Sequence, residues 1–232
     1  MSPDASESNP ATHRYQGDAG REYHDGKRAL DPGAVEWIMR LRAEKFQPRV
    51  RPTDVVVELG VGAGWNLGRL NCARRIGCDA SEFLSERVKA LGIEFLASLG
   101  ALPKSTADVA ICHHTLEHLL RPAEALRELA DVLKPGGTLL LYVPWDRERR
   151  HAHYRADEPN HHLFTWNAQS AGNLATALGF RIEQLITRRY GYDRSAGNLA
   201  ARLRLGEAGY RLLRSVMITL RPLREVELIA SR

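Results

Sequence analysis

The chain predicts an α/β fold built on a doubly wound, parallel sheet of seven strands. Three observations carry that prediction. Strand-like apolar runs alternate with helical patterns through most of the 232 residues. Two runs, Val55–Val57 and Asp108–Cys112, are apolar at nearly consecutive positions, as strands covered on both faces are. The first run ends in Glu58 and is followed by Gly60, Gly62 and Gly64, a sharp turn that lets a ligand approach bare main chain at the carboxyl end of a strand.

Each element has its own signal. Residues 1–28 are polar and rich in Ser, Asp, Gly and Pro, and read as a flexible segment apart from Tyr15, Tyr23 and His24. Asp31-Pro32 starts a helix, with Asp31 as N-cap and Pro32 at the first position; Val35, Ile38 and Met39 form its apolar stripe, and Phe46 extends it. The strand at 54–58 and its glycine turn lead into a helix over about 65–73. A short strand ends at Asp79, and Ser81 caps a helix from Glu82 to Leu91. Strands follow at 93–96 and 108–112, then a helix over 122–133 stopped by Lys134-Pro135-Gly136-Gly137, and a strand over 138–143. A helix over 167–178, closed by Gly179, precedes a strand over 180–186. The last strand spans 225–230. Residues 187–224 read as a helical insertion, with Leu199, Leu203, Tyr210, Leu213 and Met217 spaced to share a face; it is a packed helix or, alternatively, a substrate lid or partner surface. Residues 29–232 therefore read as one domain.

Composition narrows the classes. With 44% hydrophobic and 26% charged residues the chain is of ordinary globular type. No apolar run approaches the ~20 residues of a membrane-spanning helix, and the first residues lack the order of a secretory signal. Cys72, Cys78 and Cys112 have no metal-type spacing and cannot all pair, which suits a reducing cytoplasm. The net charge of +5 comes from scattered arginines without interleaved aromatics, which reads as a solvated basic surface and not as a nucleic-acid platform.

The spacing of the glycines separates two kinds of cradle. A dinucleotide fingerprint needs its third glycine three positions after the second; here Gly64 comes after two, and Trp65 stands where that glycine belongs. Glu58 opposes a pyrophosphate and suits a ligand bearing a positive amino group. A nicotinamide-dependent oxidoreductase is thereby disfavoured. The block Glu58-Leu59-Gly60-Val61-Gly62-Ala63-Gly64 resembles motif I of the class I S-adenosylmethionine-dependent methyltransferases. The resemblance continues in order through Ala107–Leu119, Arg121–Leu129, Leu133–Gly137, Leu139–Pro144, Phe164-Thr165-Trp166 and Leu178-Gly179-Phe180. It covers roughly residues 54–186 and is strongest toward the small-molecule type similar to ubiquinone and sugar methyltransferases. It implies a Rossmann-like sheet that is mostly parallel with an antiparallel last strand, S-adenosyl-L-methionine as cofactor, and a small-molecule acceptor with no nucleic acid. Oxygen is the more expected atom to be methylated. The alternative is a cofactor-binding subunit without catalysis, docking through the Arg-rich C-terminal helix.

Candidate site residues follow. Glu58, Gly60, Gly62 and Gly64 are expected around the methionine part of the cofactor. Asp79, 21 residues after Glu58 at a strand end, is placed to accept hydrogen bonds from ribose hydroxyls, with Ala80 beside it. Relatives carry an acid after the third strand that contacts adenine; here the stretch is Ala97–Pro103, so backbone near Leu99 or the Ser98 hydroxyl must serve. Seven of nine histidines lie between 113 and 162. Strand alternation sends His113 and His114 to opposite sides, and by resemblance His113 faces the cofactor and His114 the acceptor. An oxygen acceptor needs a base, and His114, His161 and His162 are the candidates. Glu117 and His118 order the loop after the fourth strand, or His118 simply bonds backbone. His151 and His153 with Asp157 or Glu158 give only a weak metal signal, and no metal is expected. Tyr15, Tyr23 and Trp65 either close over the cofactor or pack.

Overall fold

The computed structural model describes residues 15–18, 20–21, 30–145, 153–155 and 160–232. Its sheet has seven strands: β1 (Val55–Leu59), β2 (Arg74–Cys78), β3 (Glu94–Leu96), β4 (Ala107–His113), β5 (Leu133–Pro144), β6 (Arg181–Tyr190) and β7 (Leu223–Ser231). Their order is β3-β2-β1-β4-β5-β7-β6. The first five are parallel, and β7 runs antiparallel to both β5 and β6. The expected mostly parallel sheet with an antiparallel last strand is therefore present.

Consecutive apolar residues split between the two faces. Val57, Ala110, Cys112, Leu139, Leu141 and Leu228 join one core, which includes Leu126, Leu129 and Val132 of α3 (Pro122–Val132) and Ala171 and Ala175 of α4 (Ala168–Ala177). Val56, Val109, Ile111, Leu140 and Ile229 join the other, which includes Phe46 of α1 (Pro32–Phe46) and Val88 of the short α2 (Ser85–Lys89). Helices on both faces are why these strands need no polar side. α1 begins as expected, with the Asp31 carboxylate accepting from the Gly33 N–H at 2.8 Å and Pro32 leading the first turn.

Three expectations are corrected. Residues 65–73 form turns and not a helix: the Gly68 N–H bonds the Gly64 carbonyl, but the pattern stops there. Gly64, Gly68 and two asparagines disfavour helix here, and a Cβ on Gly68 would lie 2.8 Å from the Met39 sulfur, so the segment instead lets α1 approach. Ser81 makes no helix cap; its hydroxyl donates to the Tyr15 carbonyl at 2.7 Å. Residues 187–224 are not one helix. β6 runs on to Tyr190, and two helices follow, α5 (Asp193–Arg202) and α6 (Gly206–Leu220). Ala196, Ala200 and Tyr210 pack on Ile38, Met39 and Trp65, whereas Leu203 lies at the exposed α5–α6 junction and leaves the expected shared face.

Candidate active site

The cradle follows from the end of β1. Gly60 has φ +79°, and a Cβ there would overlap the Thr115 side chain, so only glycine lets the turn meet the β4 loop. Gly62 has φ +51° and nothing within 4 Å of where a Cβ would point, so its open side is free to face a ligand. The Gly60 and Val61 N–H groups bond the Cys78 carbonyl, at 2.8 and 3.1 Å. Asp79 closes the turn, accepting from the Gly62 N–H at 2.7 Å and from the Ser81 N–H at 2.8 Å. A carboxylate has about four lone-pair positions, so two remain for ligand hydroxyls. Ala80 is partly buried between Asp79 and Ser81.

Glu58 is fully buried beneath the cradle. Asn66 Nδ2 donates to its Oε1, while Oε2 has no hydrogen-bond partner among the described residues. Burial pushes its pKa up to about 8, and the nearby Asp79 adds to the rise, against the Asn66 hydrogen bond and the Arg42 charge. A buried carboxyl oxygen beside a bare glycine turn suits a ligand bearing a cationic amino group, whose charge favours the ionised form of Glu58. Trp65 does not lie over the cradle as a lid; it is buried on Ile38, Met39 and Ala196, with Arg42 and Arg194 at 5.6 and 5.0 Å from its ring. Leu99 is buried in the core and opens a 3-10 turn, where Ser98 Oγ accepts from the Gly100 N–H at 3.2 Å and keeps its O–H for another partner. Of the N-terminal segment, Tyr15 bonds Ser81 and His118, and Arg21 lies over the Phe83 ring.

Beyond β4 the histidines are not divided between two sides. His113 and His114 stack, with ring centroids 4.4 Å apart and planes 9° apart, and both line one cavity of about 860 Å³. The reason is local: β4 ends at His113, and His114 adopts φ +53°, which breaks strand alternation. The cavity lies at the carboxyl ends of β4 and β6 and the start of β7, under the end of α1 and the start of α5. Glu225 is its buried anchor. Its carboxylate accepts from Lys45 Nζ at 2.6 Å and pairs with His114 Nε2 at 3.0 Å. Burial alone would raise its pKa, but Lys45 and His114 outweigh burial and hold it near 2. Because a carboxylate only accepts, the proton sits on His114 Nε2, which leaves Nδ1 as the basic nitrogen. Lys45 Nζ also lies 3.1 Å from His113 Nε2. Burial, then the Lys45 charge, depresses the His113 pKa well below its usual value, so this imidazole is neutral.

His161 and His162 are not part of that cavity. The His161 carbonyl lies 3.4 Å from His118 Nδ1, and the His162 ring packs edge-on to His118 at 5.1 Å. The candidate bases are thus not brought together: the loop bearing His161 and His162 joins the Glu117–His118 turn through the Leu163 and Phe164 N–H groups, which donate to the Glu117 carbonyl. His153 is exposed. Tyr23, His24, His151, Asp157 and Glu158 lie outside the described residues. Sequence reasoning missed Lys45, Asn66 and Glu225. The signal for Glu225 was present: Glu225 and Glu227 alternate with Val226 ahead of the apolar run Leu228–Ala230 of β7, and both are buried.

Residues 26–185 match the family model described as a methyltransferase domain, more than half of the chain. The chain belongs to that methyltransferase family. Those residues form a methyltransferase domain, and the open glycine turn, Glu58 and Asp79 fit the amino acid and ribose of S-adenosyl-L-methionine, the cofactor the sequence resemblance implies. Over 111 residues it is 35% identical to an uncharacterized 37.1 kDa protein in transposon TN4556 of Streptomyces fradiae, covering 41% of this chain and 32% of that protein. Over 124 residues it is 31% identical to a tRNA (carboxymethyluridine(34)-5-O)-methyltransferase of Mus musculus, covering 50% of this chain and 18% of that protein. The chain thus spans about a third or less of the length of these curated relatives. Among solved structures, the 1,6-didemethyltoxoflavin-N1-methyltransferase of Burkholderia thailandensis, with S-adenosylhomocysteine bound, aligns with a TM-score of 0.63 at 18% identity, over 99% of this chain and 93% of that one. At that identity the likeness concerns the fold.

Proposed function

We propose that this methyltransferase acts on a hydroxyl of a small molecule held in the cavity under α1 and α5, with His114 as general base and Glu225 as its positioning residue. The observation that carries this reading is the 3.0 Å pairing of His114 Nε2 with the buried Glu225 carboxylate at the wall of that cavity. Bound S-adenosylmethionine supplies an activated methyl group on a sulfonium centre, so the protein contributes position and proton transfer. Glu58, Gly60, Gly62 and Gly64 hold the amino-acid end and Asp79 the ribose. Ala80 and the main chain near Leu99 border the adenine. Neutral His113 lines the acceptor cavity beside Lys45 and adds no positive charge there. His114 Nδ1 accepts the hydroxyl proton, and the Glu225 carboxylate stabilises the imidazolium that results.

The test is turnover with labelled cofactor across phenols, sugars and small hydroxylated metabolites, comparing wild type with H114A. Loss of an intact base typically costs ~10²–10⁴-fold in rate. Equal turnover by both would remove His114 from the mechanism. A second reading, an RNA nucleoside as acceptor, is favoured by the tRNA named for the mouse relative and by Arg49, Arg188 and Arg189 along the cavity. It predicts tRNA methylation with a rate that falls steeply with salt.

A further inference from the structure

We propose that Glu117, His118 and His162 form a binding site for one divalent transition-metal ion beside the cofactor cradle. One ligand atom from each side chain lies within 4.8 Å of the other two. The three come from two separate loops, one after β4 and one after β5. Main chain joins those loops, since the Leu163 and Phe164 N–H groups donate to the Glu117 carbonyl at 2.7 and 3.3 Å. The ligands are thus preorganised by backbone and not gathered by mobile side chains.

The orientation of His118 supports the assignment. Its Nδ1 lies 3.0 Å from the Tyr15 hydroxyl and 3.4 Å from the His161 carbonyl, which can only accept. With the ring proton on Nδ1, where the His161 carbonyl and the Tyr15 hydroxyl can accept it, Nε2 is the nitrogen turned toward Glu117 Oε1, 3.8 Å away. Metal bonds to imidazole nitrogen and carboxylate oxygen are ~2.0–2.2 Å, so two of them meeting at an ion span a gap of this size. A carbonyl holding the far nitrogen of a metal-binding imidazole is the usual outer support of such a ligand. Two imidazoles and a carboxylate suit Zn²⁺, Mn²⁺, Fe²⁺ or Co²⁺. Three protein ligands leave positions for water or for an oxygen-bearing acceptor.

The site is coupled to the cradle. Tyr15, whose hydroxyl meets His118, accepts through its carbonyl from Ser81 Oγ, and the Ser81 N–H donates to Asp79. The other grouping of this kind, His113, His114 and Glu225, needs no ion because the Lys45 ammonium already sits against Glu225 and His113.

The test is calorimetric titration of the chelator-treated full chain with Zn²⁺ and Mn²⁺, with visible absorption of the Co²⁺ form and elemental analysis. One ion per chain is expected for wild type and for the control H153A, with binding weakened at least ~10-fold in H162A and in E117Q, since even outer-shell losses cost ~10–100-fold. Absence of stoichiometric binding by wild type overturns the site, as does unchanged affinity in both variants. Thermal melts of H162A and E117Q check that each is folded. Titration of the same metal-free samples with S-adenosylhomocysteine reports the cradle separately, so failure of the metal site and failure of the cofactor reading are distinguishable.

Discussion

Glu58 sets the terms of the site at the level of single residues. Its pKa near 8 in the ligand-free fold exceeds the ordinary value of 4.5, so folding favours the protonated acid. That stabilising contribution is complete below about pH 4.5 and is lost as pH rises toward 8. E58Q is therefore expected to be more stable than wild type above pH 8, by up to a few kcal/mol at ~1.4 kcal/mol per pKa unit, and indistinguishable near pH 4. Chemical denaturation at both pH values checks this. The same substitution is expected to weaken the cofactor, because an amide cannot neutralise an ammonium group. Gly60→Ala is expected to destabilise the fold by roughly 2–4 kcal/mol, since the new methyl must displace Thr115 at a positive φ; a melting curve reads it. The glycines, Glu58 and Asp79 were legible because backbone turns and strand-end acids leave sequence spacing behind. Lys45 and Glu225 were not, because 180 positions separate them and only the packing of α1 on β7 brings them together.

At the scale of elements, β7 is the strand that carries chemistry. Glu225 stands at its first turn of pairing, opposite Pro144 and Arg188, where the end of β5 and the end of β6 meet the cavity. E225Q keeps the shape and removes the charge that supports the His114 imidazolium. It is expected to lower kcat ~10-fold or more at neutral pH with little change in cofactor affinity, and to move the acidic limb of the rate profile to lower pH, because the anion that favours the His114 imidazolium is gone. E225A is a different experiment: it strands Lys45 without its counter-ion, and removing one partner of a buried pair costs ~3–5 kcal/mol. α1, α3, α4 and the strands were legible from apolar periodicity and end signals. The 65–73 helix failed because glycine and asparagine there serve approach and hydrogen bonding instead of helix. The single 187–224 helix failed because the turn after Leu203 breaks a periodicity that looked continuous. The expected split of His113 and His114 to opposite sides failed because one residue in the left-handed region reverses a side chain, and histidine gives no warning of that.

At the scale of the whole molecule, the topology gathers every proposed function at one rim. In a doubly wound sheet the ligand sits outside the carboxyl ends of the strands where their order reverses, here between β1 and β4. The antiparallel β7 then places its first residues, not its last, at that rim, which is how a glutamate near the C-terminus reaches a histidine after β4. No helix among the described residues is long and apolar enough to cross a membrane. The central claim is that the bare turn at Gly62, with Asp79 behind it, receives S-adenosylmethionine. Calorimetric titration of the full chain with S-adenosylhomocysteine tests it most directly, in wild type and in D79A. Saturable one-to-one binding that weakens about tenfold or more in D79A is predicted, the scale of one lost hydrogen bond to a charged group. Absence of binding by wild type, or equal affinity in both proteins, contradicts the account.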